Sequence, residues 1–232
     1  MPVYSLSEAL AFPPADGADP SGLVAVGGDL RPERLLLAYA MGIFPWYGPG
    51  QPILWHSPDP RMVLDIDGLI VNRTLRKTLQ RERFHITFDT SFDEVVRACA
   101  TRARPGQDGT WITEEMIAAY VGLHRLGFAH SVEARLDGAL VGGLYGVTLG
   151  RAFFGESMFS FASDASKVAL VALVERLHRR GFHFVDCQVH TELFAQLGAA
   201  EIPRATFLAR LARALLFPSW QGDWCATTPE AA

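Results

Sequence analysis

The run Gly150-Arg151-Ala152-Phe153-Phe154-Gly155-Glu156-Ser157-Met158-Phe159-Ser160 decides how the rest of the chain is read. It begins as an apolar strand and then sets one carboxylate, Glu156, among Phe, Met and Gly. A carboxylate in such surroundings either finds hydrogen-bond partners or has its ionisation displaced. Downstream, Ser163 to Arg180 is the clearest helix, with Val168, Leu170, Val171, Leu173, Val174 and Leu177 on a broad apolar face and Gly181 as its stop. Phe182 to Val189 is then a strand whose centre, Val185-Asp186-Cys187-Gln188, again places polar groups in an apolar run. Alternation puts Asp186 and Gln188 on one face, roughly 7 Å apart, and Cys187 on the other. The two polar stretches are expected to face each other across a reaction site.

Upstream, Ala129 to Leu136 and Ala139 to Leu149 flank Asp137-Gly138, a strong hairpin signal. Gly142, Gly143 and Gly146 in the return strand suggest a bulge or a close approach. Before the hairpin come a helix opened by Thr113 and closed at Gly127, with Met116, Ile117, Tyr120 and Leu123 inward, and one opened by a Ser91/Glu94 capping box. Phe84, Ile86 and Phe88 alternate as a strand, and Asn72 caps a helix through Arg83. A loop from Arg102 to Gly109 leads to Thr110-Trp111-Ile112. Residues 1–62 differ, being rich in Pro, Gly and aromatics, with one short helix at Pro32 to Ala40 and Gly42 beyond it. The expectation is an α+β protein, with a small N-terminal domain over 1–62 and a second domain over 63–232. The stretch after Trp224 reads as a disordered tail.

With 232 residues, 49% hydrophobic and 20% charged, the chain has ample material for a core without metal or disulfide staples. A net charge of −4 excludes only non-specific attraction to nucleic acid, since a basic patch can sit on an acidic protein. Such a patch exists: Arg73, Arg76, Lys77, Arg81 and Arg83 crowd one helix. Charge patterning leaves a solvated face and a phosphate contact both open. Trp46, Tyr47 and Trp55 are likewise open to reading as core filler or as a platform for a base. Cys99, Cys187 and Cys225 show no metal or disulfide spacing. The N-terminus lacks a secretory pattern and no apolar run is long enough to span a bilayer, so a soluble, cytoplasmic protein is expected.

The order hairpin, strand, long helix, strand is used by the acyl-CoA N-acetyltransferase fold, whose strand–helix loop is Gly-rich so that bare amides cradle a pyrophosphate. Here that loop reads Glu156 to Ser166, with no Gly and two acidic groups, Glu156 and Asp164. The donor is therefore not expected to be acyl-CoA. No Gly-x-Ser-x-Gly elbow or His-Glu-x-x-His motif is present, and Cys187 has no adjacent base.

Ten stretches follow one another along nearly the whole chain: Gly27-Gly28-Asp29-Leu30, Gly42-Ile43-Phe44-Pro45-Trp46, Ile53-Leu54-Trp55, Ser57-Pro58-Asp59-Pro60-Arg61, Gly109-Thr110-Trp111-Ile112, His130-Ser131-Val132-Glu133, Leu140-Val141-Gly142-Gly143-Leu144-Tyr145-Gly146, Phe154-Gly155-Glu156-Ser157-Met158-Phe159-Ser160, Ala165-Ser166-Lys167 and Asp186-Cys187-Gln188. In this order they resemble the bacterial leucyl/phenylalanyl-tRNA–protein transferase family. His56 departs from the family's usual second Trp, and Arg135 from a position often aromatic.

The resemblance implies an acetyltransferase-like C-terminal domain without CoA, and neither a cofactor nor a metal is expected. It implies transfer of Leu or Phe (also Met) from aminoacyl-tRNA to the α-amino group of proteins beginning with Arg or Lys, which marks them for degradation. Asp186 and Gln188 fall at the reacting centre. Gln188, whose amide has no useful basicity, would hold the amine or ester, while Asp186 would orient groups or take the proton. Glu156 would join Asp186 as a pair of carboxylates sharing the cation of the acceptor. Phe153, Leu144, Tyr120 and Val185, with Gly155, Met158 and Ser160, would form the aminoacyl pocket. Trp46, Trp111 and Tyr39 would contact the terminal adenosine, and Arg73, Arg76 and Lys77 the tRNA backbone. The implied partners are Leu-tRNA, Phe-tRNA and protein substrates, with no membrane, and a monomer is expected. A tRNA-dependent ligase for cell-wall peptides and a non-catalytic tRNA-binding module are the alternatives.

Overall fold

The computed structural model of the chain describes residues 4–101 and 111–225. The expected loop from Arg102 to Gly109 and the tail from residue 226 onward lie outside them. The first elements are β1 (Tyr4–Leu6), β2 (Leu23–Gly27), α1 (Pro32–Ala40), β3 (Phe44–Pro45) and β4 (Leu54–His56). There follow β5 (Arg61–Asp65), α2 (Arg73–Gln80), β6 (His85–Phe88), α3 (Phe92–Thr101) and α4 (Glu114–Arg125). The chain continues through β7 (Ala129–Leu136), β8 (Ala139–Leu149), β9 (Ala152–Ser160), α5 (Ala165–Arg179) and β10 (Phe184–Gln188). It closes with α6 (Glu192–Gln196), β11 (Ala200–Ile202) and α7 (Arg204–Ala214).

Local chemistry accounts for most of these boundaries. Asn72, Thr113 and Thr191 accept hydrogen bonds from the amides of Leu75, Met116 and Phe194, three residues on, as helix caps do. Asp137 and Gly138 both take positive φ, 51° and 82°, the geometry of the tight hairpin turn. α2 ends at Gln80, short of the expected Arg83, because Glu82 turns into the left-handed region at φ 49°.

A four-stranded sheet in the order β1-β2-β4-β3 forms the N-terminal part. The larger sheet has seven strands in the order β11-β5-β10-β9-β8-β7-β6. Arg61 and Met62 already lie in β5, inside the larger sheet. One face of that sheet carries α5 and α2, with Val132, Leu144, Phe153 and Val185 beneath them. The other face carries α1, α3, α4 and α7 over Tyr145, Val147, Phe154 and Phe184. The small residue at Gly142 is required where α5 crosses β8, since a Cβ there would stand 2.4 Å from Ala165 Cβ.

β9 is longer than the sequence suggests. Its pairing with β8 continues through Tyr145↔Ser157, Leu144↔Met158, Gly143↔Phe159 and Gly142↔Ser160. Glu156 therefore sits within a strand, and the connection to α5 shrinks to residues 161–164. The predicted loop from Glu156 to Ser166 is corrected accordingly: once a long partner strand is available, the backbone amides of this segment are better satisfied in a ladder.

Candidate active site

The site is made by a split in the large sheet. Parallel strands β9 and β10 pair at Ala152↔Phe184, Phe153↔Val185 and Phe154↔Asp186, and no further. Beyond that point β9 stays with β8, while β10 stays with β5 through a bulge between Asp186 and Gln188. Gln188 there adopts φ 64°, a strained conformation for a residue with a side chain, of the kind concentrated at functional sites. Its side chain spans the split: Gln188 Nε2 donates to Glu156 Oε1 at 2.9 Å.

Glu156 is nearly buried, and its other oxygen, Oε2, accepts from Tyr120 OH at 2.6 Å. Burial pushes its carboxyl from 4.5 up to about 7. Hydrogen bonds from Tyr120, Tyr39 and Gln188 pull the other way, and the nearby Asp186 charge adds to the rise. Burial also holds the Tyr39 and Tyr120 phenols well above their ordinary range, so near neutrality both keep their protons as donors.

Asp186 is fully buried, not exposed to share an acceptor's cation with Glu156 as expected. Arg61, also fully buried, grips it with both arms, Nε to Oδ1 at 2.8 Å and Nη2 to Oδ2 at 2.6 Å. The guanidinium lies over the rings of Phe44 and Phe207, 4.8 and 4.4 Å from their centroids, and its third nitrogen donates to the Gly42 carbonyl. Asp186 Oδ1 also accepts the Gln188 backbone N–H at 2.9 Å, so the carboxylate anchors the bulge that aims Gln188. The cation expected to come from substrate is thus supplied to Asp186 by the chain itself.

A cavity of about 930 Å³ opens at the split. Of the aminoacyl-pocket candidates, Leu144, Phe153, Gly155, Met158, Ser160 and Val185 lie on its wall, as do Glu156 and Gln188. Trp46, the more exposed, and Trp111 line the same space. Tyr120 and Tyr39 do not line it. Both are fully buried behind it, joined hydroxyl to hydroxyl at 2.6 Å, so Tyr39 has no ring face to offer an adenine. Arg73, Arg76 and Lys77 are exposed on α2. The inner flank of that helix reaches the cavity mouth, where Thr78 Oγ1 donates to Asp164 Oδ2 at 3.2 Å.

The sequence offers no role for Arg61, Phe194 or His190 and shows Leu170 and Leu173 only as part of a helix's apolar face; all of these but Arg61 also line the cavity. A signal for Arg61 existed: a charge heading the run Met62-Val63-Leu64 requires a buried partner. Nothing local identifies that partner, which lies 125 residues away. Cys187 fits the weak role expected of it, because burial raises its thiol well above the ordinary value. Among the described residues no group of three or more His, Cys, Asp or Glu side chains is arranged to hold a metal, and no helix is long and apolar enough to cross a membrane.

Comparison with known proteins gives a consistent result. The family profile for leucyl/phenylalanyl-tRNA protein transferase matches residues 63–212, and the profile for that enzyme's N-terminal domain matches residues 28–59. The leucyl/phenylalanyl-tRNA–protein transferase of Myxococcus xanthus is 60% identical over 226 residues, covering 97% of this chain and 97% of that one. That of Anaeromyxobacter sp. (strain Fw109-5) is 62% identical over 97% of this chain and 95% of its own length. That of Syntrophus aciditrophicus is 53% identical over the full chain and 97% of its own. Similarity of this depth over nearly the whole length, with the polar pair Glu156 and Gln188 at a split in the sheet, places the chain in the leucyl/phenylalanyl-tRNA–protein transferase family, and it is an aminoacyltransferase.

Proposed function

We propose that the chain, acting as a monomer in the cytoplasm, moves Leu, Phe or Met from aminoacyl-tRNA to the α-amino group of proteins beginning with Arg or Lys, marking them for degradation. The observation that carries this reading is the Glu156–Gln188 bridge across the sheet split, on the wall of an apolar cavity that Trp46 and Trp111 also line. The chemistry asks for little beyond positioning. An aminoacyl ester is already activated, and an α-amine with a pKa of about 8 is partly neutral at physiological pH. The amine nitrogen bonds to the ester carbon, the bond from that carbon to the ribose oxygen breaks, and the proton lost by nitrogen balances the one gained by the leaving oxygen.

In this reading Leu144, Phe153, Val185, Gly155, Met158 and Ser160 hold the donor side chain, and the apolar wall rejects charged ones by desolvation. Trp46 and Trp111 stack on the terminal adenosine, a contact of about 1–3 kcal/mol per base. Glu156 binds the amine by a charge-assisted hydrogen bond and, with Asp186 already satisfied by Arg61, carries the selection for a basic acceptor. Gln188 positions Glu156, Asp186 orients Gln188, and Tyr120 supports Glu156 from behind. The β8–β9–α5–β10 order supports an acetyltransferase-like domain that begins with β5 at Arg61, beside a small domain over the residues before it. Asp164 at the head of α5 disfavours a CoA diphosphate there.

Labelled Leu-tRNA and an Arg-initiated protein test the proposal. Ribonuclease-sensitive labelling of that N-terminus is expected, and labelling of a cell-wall peptide instead overturns it. Neutralising Arg73, Arg76 and Lys77 together is expected to flatten the salt dependence of tRNA binding, by about 0.7–0.9 in log–log slope for each phosphate no longer neutralised. An unchanged slope refutes the patch.

A further inference from the structure

We propose that Tyr39 is a positioning residue for the transfer reaction: its hydroxyl, acting through Tyr120, holds the Glu156 carboxylate and ties the N-terminal part of the chain to the reacting centre. The inference rests on aminoacyl transfer taking place in the cavity described above.

Tyr39 lies on α1, which packs against α4 and β8. Its ring leans on Phe154 with centroids 5.0 Å apart, while Tyr120 meets Tyr145 edge-on at 5.4 Å. Packing in this aromatic layer needs rings, not hydroxyls, and a buried hydroxyl is costly unless bonded. The two hydroxyls form a chain, Tyr39 to Tyr120 at 2.6 Å and Tyr120 to Glu156 at 2.6 Å. A phenol has one hydrogen. While Glu156 is charged, Tyr120 gives its hydrogen to the carboxylate, so Tyr39 must donate to Tyr120. Such a chain polarises cooperatively and strengthens the final bond. When Glu156 takes a proton, the same chain can reverse, with Glu156 donating to Tyr120 and Tyr120 to Tyr39.

The groups facing Glu156 are Tyr120 from α4, Tyr39 from α1 behind it, and Asp186 and Gln188 from β10, with Tyr145 of β8 beside the two phenols. Arg61 of β5 is turned to Asp186. Hydrogen bonds to the ionised form lower the pKa of a carboxyl, so removing the first donor of the chain raises that of Glu156.

The test uses the full chain as Tyr39→Phe, Tyr120→Phe and the double variant. The pH profile of kcat/KM for Leu transfer is followed together with the 13C carboxyl titration of Glu156 in the free protein, assigned by its loss in Glu156→Gln. In Tyr39→Phe both midpoints are expected to move to higher pH by about half to one unit, a loss of about 3- to 10-fold in rate on the acidic side. The double variant is expected to move the midpoint by less than the sum of the two single shifts, because the two hydroxyls act on Glu156 as one chain. A titration midpoint that stays in place in Tyr39→Phe overturns the proposal, whatever happens to the rate. Failure of the unmodified protein to transfer at all would instead remove the functional reading, and the carboxyl titration would still decide the role of Tyr39.

Discussion

Replacing Arg61 by Met is expected to remove about 3–5 kcal/mol of folding stability and to abolish transfer. The substitution keeps an apolar stem between Phe44 and Phe207 but leaves Asp186 buried without its cation. A buried, unpaired carboxylate is among the most destabilising features a single change can create, because neither water nor protein compensates its charge. The loss extends to the site, since Asp186 also accepts the Gln188 backbone N–H and fixes the bulge. Adding Asp186→Leu to Arg61→Met is expected to recover most of the stability, as apolar replacements of buried ion pairs often do, yet to leave transfer absent. Denaturant unfolding and the Leu-transfer assay separate the two effects. An Arg61→Met protein that unfolds at the original denaturant midpoint would show that the pair does not hold the strands as described.

The second large effect is expected from Glu156→Gln: a loss of about 100-fold in kcat/KM, or about 2.7 kcal/mol, with the fold intact. The fold survives because the phenol chain can reverse, letting the new amide donate to Tyr120 and Tyr120 donate to Tyr39 while the remaining oxygen still accepts from Gln188. Only the charge is lost. In the unmodified protein Glu156 titrates near 7, so activity that needs the carboxylate falls as pH drops through that value, and this limb should vanish from the residual rate of the variant.

Stability runs the opposite way. The folded carboxyl titrates about 7 against an ordinary 4.5, so between those values the folded state holds a proton that the unfolded state has released. Stability therefore falls as pH rises from 4.5 to 7, and above 7 the buried charge costs on the order of 3 kcal/mol. Glu156→Gln should accordingly be the more stable protein above neutrality, with the difference disappearing toward pH 4.5. A variant less stable than its parent at alkaline pH would contradict that account of the site.

Local signals in the chain were reliable wherever a few neighbouring residues settle the outcome. The caps at Asn72 and Thr113, the turn at Asp137-Gly138 and the helix stop at Gly181 are each satisfied within about four residues, and each stands where its sequence indicates. The end of β9 is not legible locally, because it depends on how far β8 continues as a partner. The roles of Tyr39 and Asp186 were harder still. Alternation shows which way a side chain points from its strand, but not what another element places there.

What the sequence determined by itself was the succession of strands and helices from α2 to β10, though not the strands β1–β5 before it, and the two places where polarity is out of keeping with its surroundings, Glu156 and the Asp186/Gln188 pair. Both follow from local rules, the periods of the elements and the cost of burying a polar group. The tertiary structure alone decided which of these groups meet. It gave Asp186 to Arg61, 125 residues distant, and turned Gln188 through a strained bulge onto Glu156 across a split in the sheet. It also placed Tyr39 behind Tyr120 rather than on the cavity wall. The physical reason is that the charge state and aim of a buried side chain depend on partners reached through the fold, which no stretch of neighbouring residues specifies.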